Sequence, residues 1–239
     1  MLNGKIKNSN MLNHVALIPD GNRRWAKRRN LSSIHGHYAG AKIMERILKK
    51  AFKMGINNFT IWVSSSDNLK KRPKEEVKAL FKIYKSYFLR LLKTKIVVKN
   101  GIKVNVFGKW NLFCPADLKE LIKKVIEKTK ENKKYFFNIL LAYDGTEELL
   151  EAIKKIKKTK SRITLDLLRK KLWTGSLPPV DLVIRTGIEG DPHNSGAFMA
   201  LHTAYSQYYF TNTLFPDFSE EEFEKAINDF LKRERRFGR

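Results

Sequence analysis

Short apolar runs rich in β-branched and aromatic residues alternate along this chain with longer stretches in which apolar residues recur every three or four positions. The short runs predict strands at His14–Pro19, Phe59–Ser64, Lys103–Phe107, Phe136–Ala142, Leu182–Arg185 and Tyr208–Phe210. The longer stretches predict helices at Ala39–Lys53, Lys74–Leu92, Pro115–Glu131, Thr146–Lys158, Leu165–Leu172 and Ser219–Arg235. Strand and helix alternate almost throughout, which implies an α/β fold: a mainly parallel sheet of about six strands flanked by helices. The alternation has no repeat and no low-complexity linker. A chain of 239 residues fits one domain spanning 1–239, with residues 1–12 a flexible lead-in and 219–239 a C-terminal helix and tail.

In parallel sheets ligands bind beyond the carboxyl ends of the strands. Four of these ends are rich in small, polar and charged residues: PDGNRRW, SSSDNLKKRP, AYDGTEE and RTGIEGDPHNS. In the first, Gly21 permits a tight turn and Asn22 suits the cap of a following helix. The start of such a helix favours an anion, and Arg23 and Arg24, beside Trp25, suit phosphate contacts. Asp20 would repel a phosphate unless a hard divalent cation such as Mg²⁺ stood between them. The segment therefore reads either as a diphosphate-plus-Mg²⁺ cradle or as an ordinary βα turn with a solvated basic helix start.

Composition narrows the field. The net charge of +24 favours polyanionic partners, whether phosphorylated substrates, anionic membrane or nucleic acid, although many of the lysines sit on ordinary helix faces. The single cysteine, Cys114, excludes an internal disulfide framework and fits a reducing, cytoplasmic setting. No apolar run approaches the roughly 18 residues of a membrane span, and the opening residues lack a secretory pattern. GxxxxGK[ST], GxGxxG, CxxC and HExxH are all absent, which removes the P-loop, the dinucleotide fingerprint and the commonest zinc sites. His35 and His37 flank Gly36; they suggest either metal or a helix-entry loop with one satisfied histidine.

HVALIPDGNRRWAKRR, HGHYAGA, SSSDNLKKRPKEEV, DLVIRTGIE, AYSQYYFTNTLFPDF and the terminal RERRFGR occur in that order. Together they resemble the cis-prenyltransferases of the undecaprenyl diphosphate synthase type, over nearly the whole chain. The resemblance implies a hydrophobic tunnel, a homodimer, Mg²⁺ dependence, and condensation of an allylic prenyl diphosphate with isopentenyl diphosphate. It implies that Asp20 handles Mg²⁺ and the allylic diphosphate, held in the turn of Gly21, Asn22, Arg23, Arg24 and Trp25, although position 23 is usually small in the family. It implies substrate contacts for His37, Arg72 and Arg185, and roles for Ser65 and Asn68 near the reacting carbons. Arg236 and Gly238 match an R-x-G end that reaches a partner subunit's site.

The departures from the family concentrate at the second substrate's subsite. GDPHNS, 190–195, stands in place of an R-x-S segment, and no Lys or Arg occurs between Arg185 and Lys225. Ser195 is expected to keep the serine's role. A metal-binding glutamate of the family is Gln207 here, so Asp191 and His193 are expected to serve as metal ligands instead. The arginine before the family's GHxxG block is Ser33. Val63, Tyr84 and Phe88 stand either as plugs of the tunnel or as ordinary core positions, and a short- to medium-chain product is expected. Irregular coupling of two allylic diphosphates is the alternative reaction. A non-catalytic partner subunit is disfavoured by the presence of Asp20, and nucleic-acid binding by the organised strand-end acids. A hydrophobic product and a basic surface favour peripheral membrane contact.

Overall fold

The computed structural model describes residues 12–93, 100–159 and 161–233. Six strands form one sheet: β1 (His14–Ile18), β2 (Asn58–Ser64), β3 (Ile102–Phe107), β4 (Tyr135–Leu141), β5 (Leu182–Arg185) and β6 (Gln207–Phe210). Their order is β3-β4-β2-β1-β5-β6, and every pairing is parallel. The helices are α1 (Asn22–Lys27), α2 (Ser33–Lys53), α3 (Ser66–Lys71), α4 (Lys74–Lys93), α5 (Trp110–Phe113), α6 (Ala116–Thr129), α7 (Gly145–Lys157), α8 (Leu165–Lys171) and α9 (Glu220–Lys232).

The period of two along each strand sorts its side chains onto two faces. Leu17, Phe59, Ile61, Phe137, Ile139 and Ile184 pack on one side with Met44 and Ile47 of α2, Phe88 of α4, Ile122 of α6 and Phe223 of α9. Ala16, Ile18, Leu140 and Val183 pack on the other with Tyr143, Phe198 and Met199. Each fully buried Leu, Ile or Phe contributes about 1.5–3 kcal/mol. A polar row also crosses the sheet. His14 Nε2 lies 2.7 Å from Thr60 Oγ1, which accepts from Asn138 Nδ2 at 3.2 Å, while Asn105 Nδ2 donates to Asn138 Oδ1 at 2.9 Å. These bonds offset the cost of burying amides and an imidazole.

Two elements differ from expectation. The segment HGHYAG is not a helix-entry loop: α2 begins at Ser33, six residues before the expected Ala39. Its glycines serve close approach. A Cβ at Gly36 would lie 2.0 Å from the Asn22 carbonyl oxygen, so α1 can rest on α2 only where side chains are missing. The SSSDNLKK stretch is likewise not all loop; Ser65 caps α3 by accepting from the Asn68 backbone N–H at 2.9 Å. The expected helix to Arg235 is described as far as Lys232.

Topology locates the crevice. From β1 the chain runs outward to β2 on one side, and from β5 to β6 on the other. The switch point lies between the adjacent strands β1 and β5, and their carboxyl ends carry Asp20 and Arg185.

Candidate active site

Asp20 follows β1 and is flanked by two guanidiniums. Arg24 Nη2 lies 3.0 Å from Oδ1, and Arg185 Nη2 lies 3.2 Å from Oδ2. Gly21 makes the turn possible: its φ is +103°, and a Cβ there would stand 2.7 Å from Leu214 Cδ2. Arg24 also donates to the Gly187 carbonyl at 2.6 Å and to Glu189 Oε2 at 2.6 Å, and Arg28 pairs with the other oxygen of Glu189. Burial works against the Arg24 charge, but Glu189 and Asp20 outweigh it and raise its pKa; the Arg24 hydrogen bond in turn lowers that of Glu189.

Arg185 is buried, unlike most arginines. Its Nη1 donates to Ser195 Oγ at 2.7 Å and to the His193 carbonyl at 2.8 Å. Its Nε is buried without a hydrogen-bond partner. Ser195 is thus joined to Arg185. The following loop is conformationally tense: Glu189, Ala197 and Met199 all have positive φ.

A second cluster lies across α1, α2 and α4. Glu76, in the first turn of α4, is 5% exposed. Its Oε1 accepts from His37 Nε2 at 3.0 Å and faces Arg72 Nη1 at 3.5 Å. Its Oε2 accepts from Ser33 Oγ at 3.1 Å and faces Arg23 Nε at 3.6 Å. Burial opposes the carboxylate charge, but the hydrogen bonds from His37 and Ser33 and the two guanidiniums hold Glu76 below its ordinary pKa. Burial lowers the pKa of His37, so the imidazole is neutral near pH 7 and donates from Nε2. Arg72 Nη2 donates to Asn68 Oδ1 at 3.2 Å, so the structure brings Ser65, Asn68 and Arg72 together.

Beneath these groups an apolar cavity of about 100 Å³ runs between α2, α4 and the sheet. Pro19, Asn22, His37 and Phe215 are among its polar and apolar lining; Val63, Tyr84, Tyr87, Phe88 and Phe137 also line it. Val63, Tyr84 and Phe88 are therefore core positions that also bound the cavity.

Several expected site residues stand elsewhere or act differently. Asn22 does not cap α1; Gly21 occupies the cap, and Asn22 Oδ1 is buried, without a partner, against Gly40. With less than two turns, α1 has little dipole to offer, so charge at the site comes from guanidiniums. Trp25 does not line the cavity. Its Nε1 donates to Asp217 at 2.6 Å, with Arg29 stacked 4.3 Å over the ring. Asp191 and His193 are exposed and face each other at 3.1 Å, and among the described residues no cluster of three or more His, Cys, Asp or Glu could hold a metal. Gln207 opens β6 opposite Leu182, three residues (about 10 Å) from the carboxyl end, and accepts from Arg233 at 3.1 Å. Arg236 and Gly238 lie outside the described residues.

Glu76, Glu189 and Arg28 were not foreseen. For Glu76 a signal existed: it shares one helical stripe with Leu80, Ile83 and Tyr87, which line the cavity.

Comparison with known proteins gives the same picture. The family model "Putative undecaprenyl diphosphate synthase" matches residues 18–238. The tritrans,polycis-undecaprenyl-diphosphate synthase (geranylgeranyl-diphosphate specific) of Pyrococcus furiosus is 38% identical, over 98% of this chain and 90% of that protein. An isoprenyl transferase of Aquifex pyrophilus is 40% identical over 95% of both. The crystal structure of lavandulyl diphosphate synthase from Lavandula x intermedia with dimethylallyl diphosphate superposes with a TM-score of 0.87 at 30% identity, covering 95% of this chain and 98% of that one. This chain belongs to the undecaprenyl diphosphate synthase family of prenyltransferases.

Proposed function

We propose that this protein condenses an allylic prenyl diphosphate with isopentenyl diphosphate in the cis configuration, releasing diphosphate. The observation that carries this reading is an apolar cavity beneath a carboxylate set between two guanidiniums: Asp20 with Arg24 and Arg185. A diphosphate with a prenyl tail has the same division into a multiply charged head and an apolar chain.

In this reading the allylic diphosphate lies on the Asp20–Arg24 side with its chain in the cavity. The second diphosphate lies on Arg185 and Ser195, which the Nη1–Oγ hydrogen bond holds side by side. The allylic C–O bond breaks, the isopentenyl double bond attacks the carbon so exposed, and one proton leaves. Arginines placed around the departing diphosphate stabilise the charge it gains. The apolar walls keep water from the cation. Asn68 is not a base: its amide is not basic, and its carbonyl oxygen is engaged by Arg72. A diphosphate oxygen takes the proton.

The donor set fits Mg²⁺. Asp20 and Glu189 stand on either side of Arg24, and substrate phosphates commonly complete the shell of this ion. When bound, it would neutralise the leaving diphosphate. The cytoplasmic homodimer and peripheral membrane contact expected from the sequence belong to this proposal. The charge of +24 supports attraction to anionic surfaces, and among the described residues no helix is long and apolar enough to cross a membrane.

The test is incubation with Mg²⁺, isopentenyl diphosphate and allylic diphosphates of several lengths, with chromatography of the products. The expected result is products longer by whole isopentenyl units. Product from allylic diphosphate alone, or none from any pair, overturns the proposal.

A further inference from the structure

The Glu76 cluster holds more charge than its own structure needs. One buried carboxylate faces two guanidiniums, Arg23 and Arg72, and a neutral imidazole, so the cluster carries a net positive charge beside His37 and Asn22 at the cavity lining. Arg23 meets Glu76 through Nε alone. Its two Nη groups make no hydrogen bond among the described residues, and its side chain is 59% exposed. A guanidinium anchored at one edge leaves the other edge of its planar fork for a second, bidentate partner such as phosphate. Arg72 is fixed differently, by Asn68 as well as Glu76, and feels the charge of Asp20.

Two elements converge on the same atom of Glu76. Arg23, on α1, and Ser33, at the start of α2, both address Oε2, at 3.6 and 3.1 Å. Positions 23 and 33 therefore open onto one point from opposite helices.

We propose that Glu76 is a positioning residue that holds Arg23 at the cavity mouth to bind the phosphate head of the allylic substrate, and that positions 23 and 33 are interchangeable as the source of that guanidinium. This rests on the function proposed above and adds to it how the first phosphate head is gripped and why a buried acid lies beneath it. Glu76 needs no contact with substrate. It cancels part of the repulsion between Arg23 and Arg72 and sets the direction of Arg23.

The test uses the whole chain with Mg²⁺ and a non-reacting probe, geranylgeranyl thiodiphosphate, in titration calorimetry, alongside KM for both substrates. Arg23→Ser is expected to weaken the probe about ten-fold or more, the worth of one charge-assisted hydrogen bond. Glu76→Gln, nearly isosteric, should weaken it by a similar factor, and KM for isopentenyl diphosphate should stay within about two-fold in both. The exchange Arg23→Ser with Ser33→Arg should return the probe affinity to within about three-fold of the wild type. A purely structural role for Glu76 would lower Tm and kcat without separating the two substrates. Wild-type binding with Arg23→Ser unchanged overturns this inference alone, as does an exchange variant as weak as Arg23→Ser. A wild type that does not bind the probe removes the proposed function as well.

Discussion

Tyr87→Ala should change the length of the product. Tyr87 and Phe137 line the 100 Å³ cavity under the site and also a neighbouring cavity of about 500 Å³, walled by Leu48, Phe52, Leu91, Ile102, Val104 and Tyr135. Their rings meet edge to face, with centroids 6.5 Å apart, on the boundary between the two spaces. Removing the Tyr87 ring would join a small chamber to one five times its size. Each further isoprene unit that then leaves water brings about 0.8 kcal/mol per buried CH₂-sized group, roughly 4 kcal/mol for five carbons at most. That gain is large enough to carry elongation past the point where the ring stops it. The substitution also removes packing, at a cost of about 3 kcal/mol, which is a fall in Tm of roughly 6–12 °C. The assay is chromatography of products made from labelled isopentenyl diphosphate, with melting curves for each variant. The wild type should stop at a short to medium chain. A Tyr87→Ala protein that melts cooperatively, performs the first condensation and gives an unchanged length distribution would refute the barrier.

Three other outcomes follow from the structure. Arg185→Met leaves Asp20, Ser195 and the His193 carbonyl without their shared donor, and should cost about 2–5 kcal/mol, seen as a rise of roughly 30-fold or more in KM for isopentenyl diphosphate; an unchanged KM would exclude Arg185 from that subsite. Gly36→Ala forces a Cβ against the Asn22 carbonyl and should cost about 1–3 kcal/mol, lowering Tm by roughly 2–12 °C and weakening allylic diphosphate binding as α1 shifts; wild-type Tm and affinity would contradict the close approach. Burial lowers the His14 pKa from 6.5 to about 4. The unfolded chain therefore takes up a proton that the folded chain refuses, and His14 contributes stability that is complete above pH 6.5 and falls progressively toward pH 4, by about 3 kcal/mol in all. His14→Gln should flatten this part of the Tm–pH curve, and an equally steep curve in the variant would assign the effect elsewhere.

Much of this architecture is legible in the sequence because strand patterning is dictated by burial on two faces. NFTIWVS and FFNILL alternate between the two core layers, so all six strands stand where apolar spacing puts them. Helix α2 is the instructive exception. HGHYAG contains two glycines, which lower local helix propensity, yet tertiary packing against Asn22 requires them inside the helix. The same contact explains why Asn22, a good cap by residue type, does not cap.

At the site, Asp20, Arg24, Arg185 and Ser195 converge because they follow adjacent parallel strands, which topology alone dictates. Glu76 was hidden among the acids of a basic helix. Glu75 beside it is 79% exposed, and only the helical phase separates the two. Asp191 and His193 have metal-ligating chemistry, but an exposed loop turns them toward each other. Residue type does not carry that direction.

The most direct measurement of the central claim is incorporation of labelled isopentenyl diphosphate with simultaneous release of diphosphate, in wild type and Asp20→Ala. The account predicts one diphosphate released per isopentenyl unit incorporated, and a fall of about 100-fold or more in both for Asp20→Ala, of the order expected when one preorganised electrostatic group is removed. Diphosphate release without isopentenyl incorporation, or an Asp20→Ala protein as active as the wild type, would contradict it.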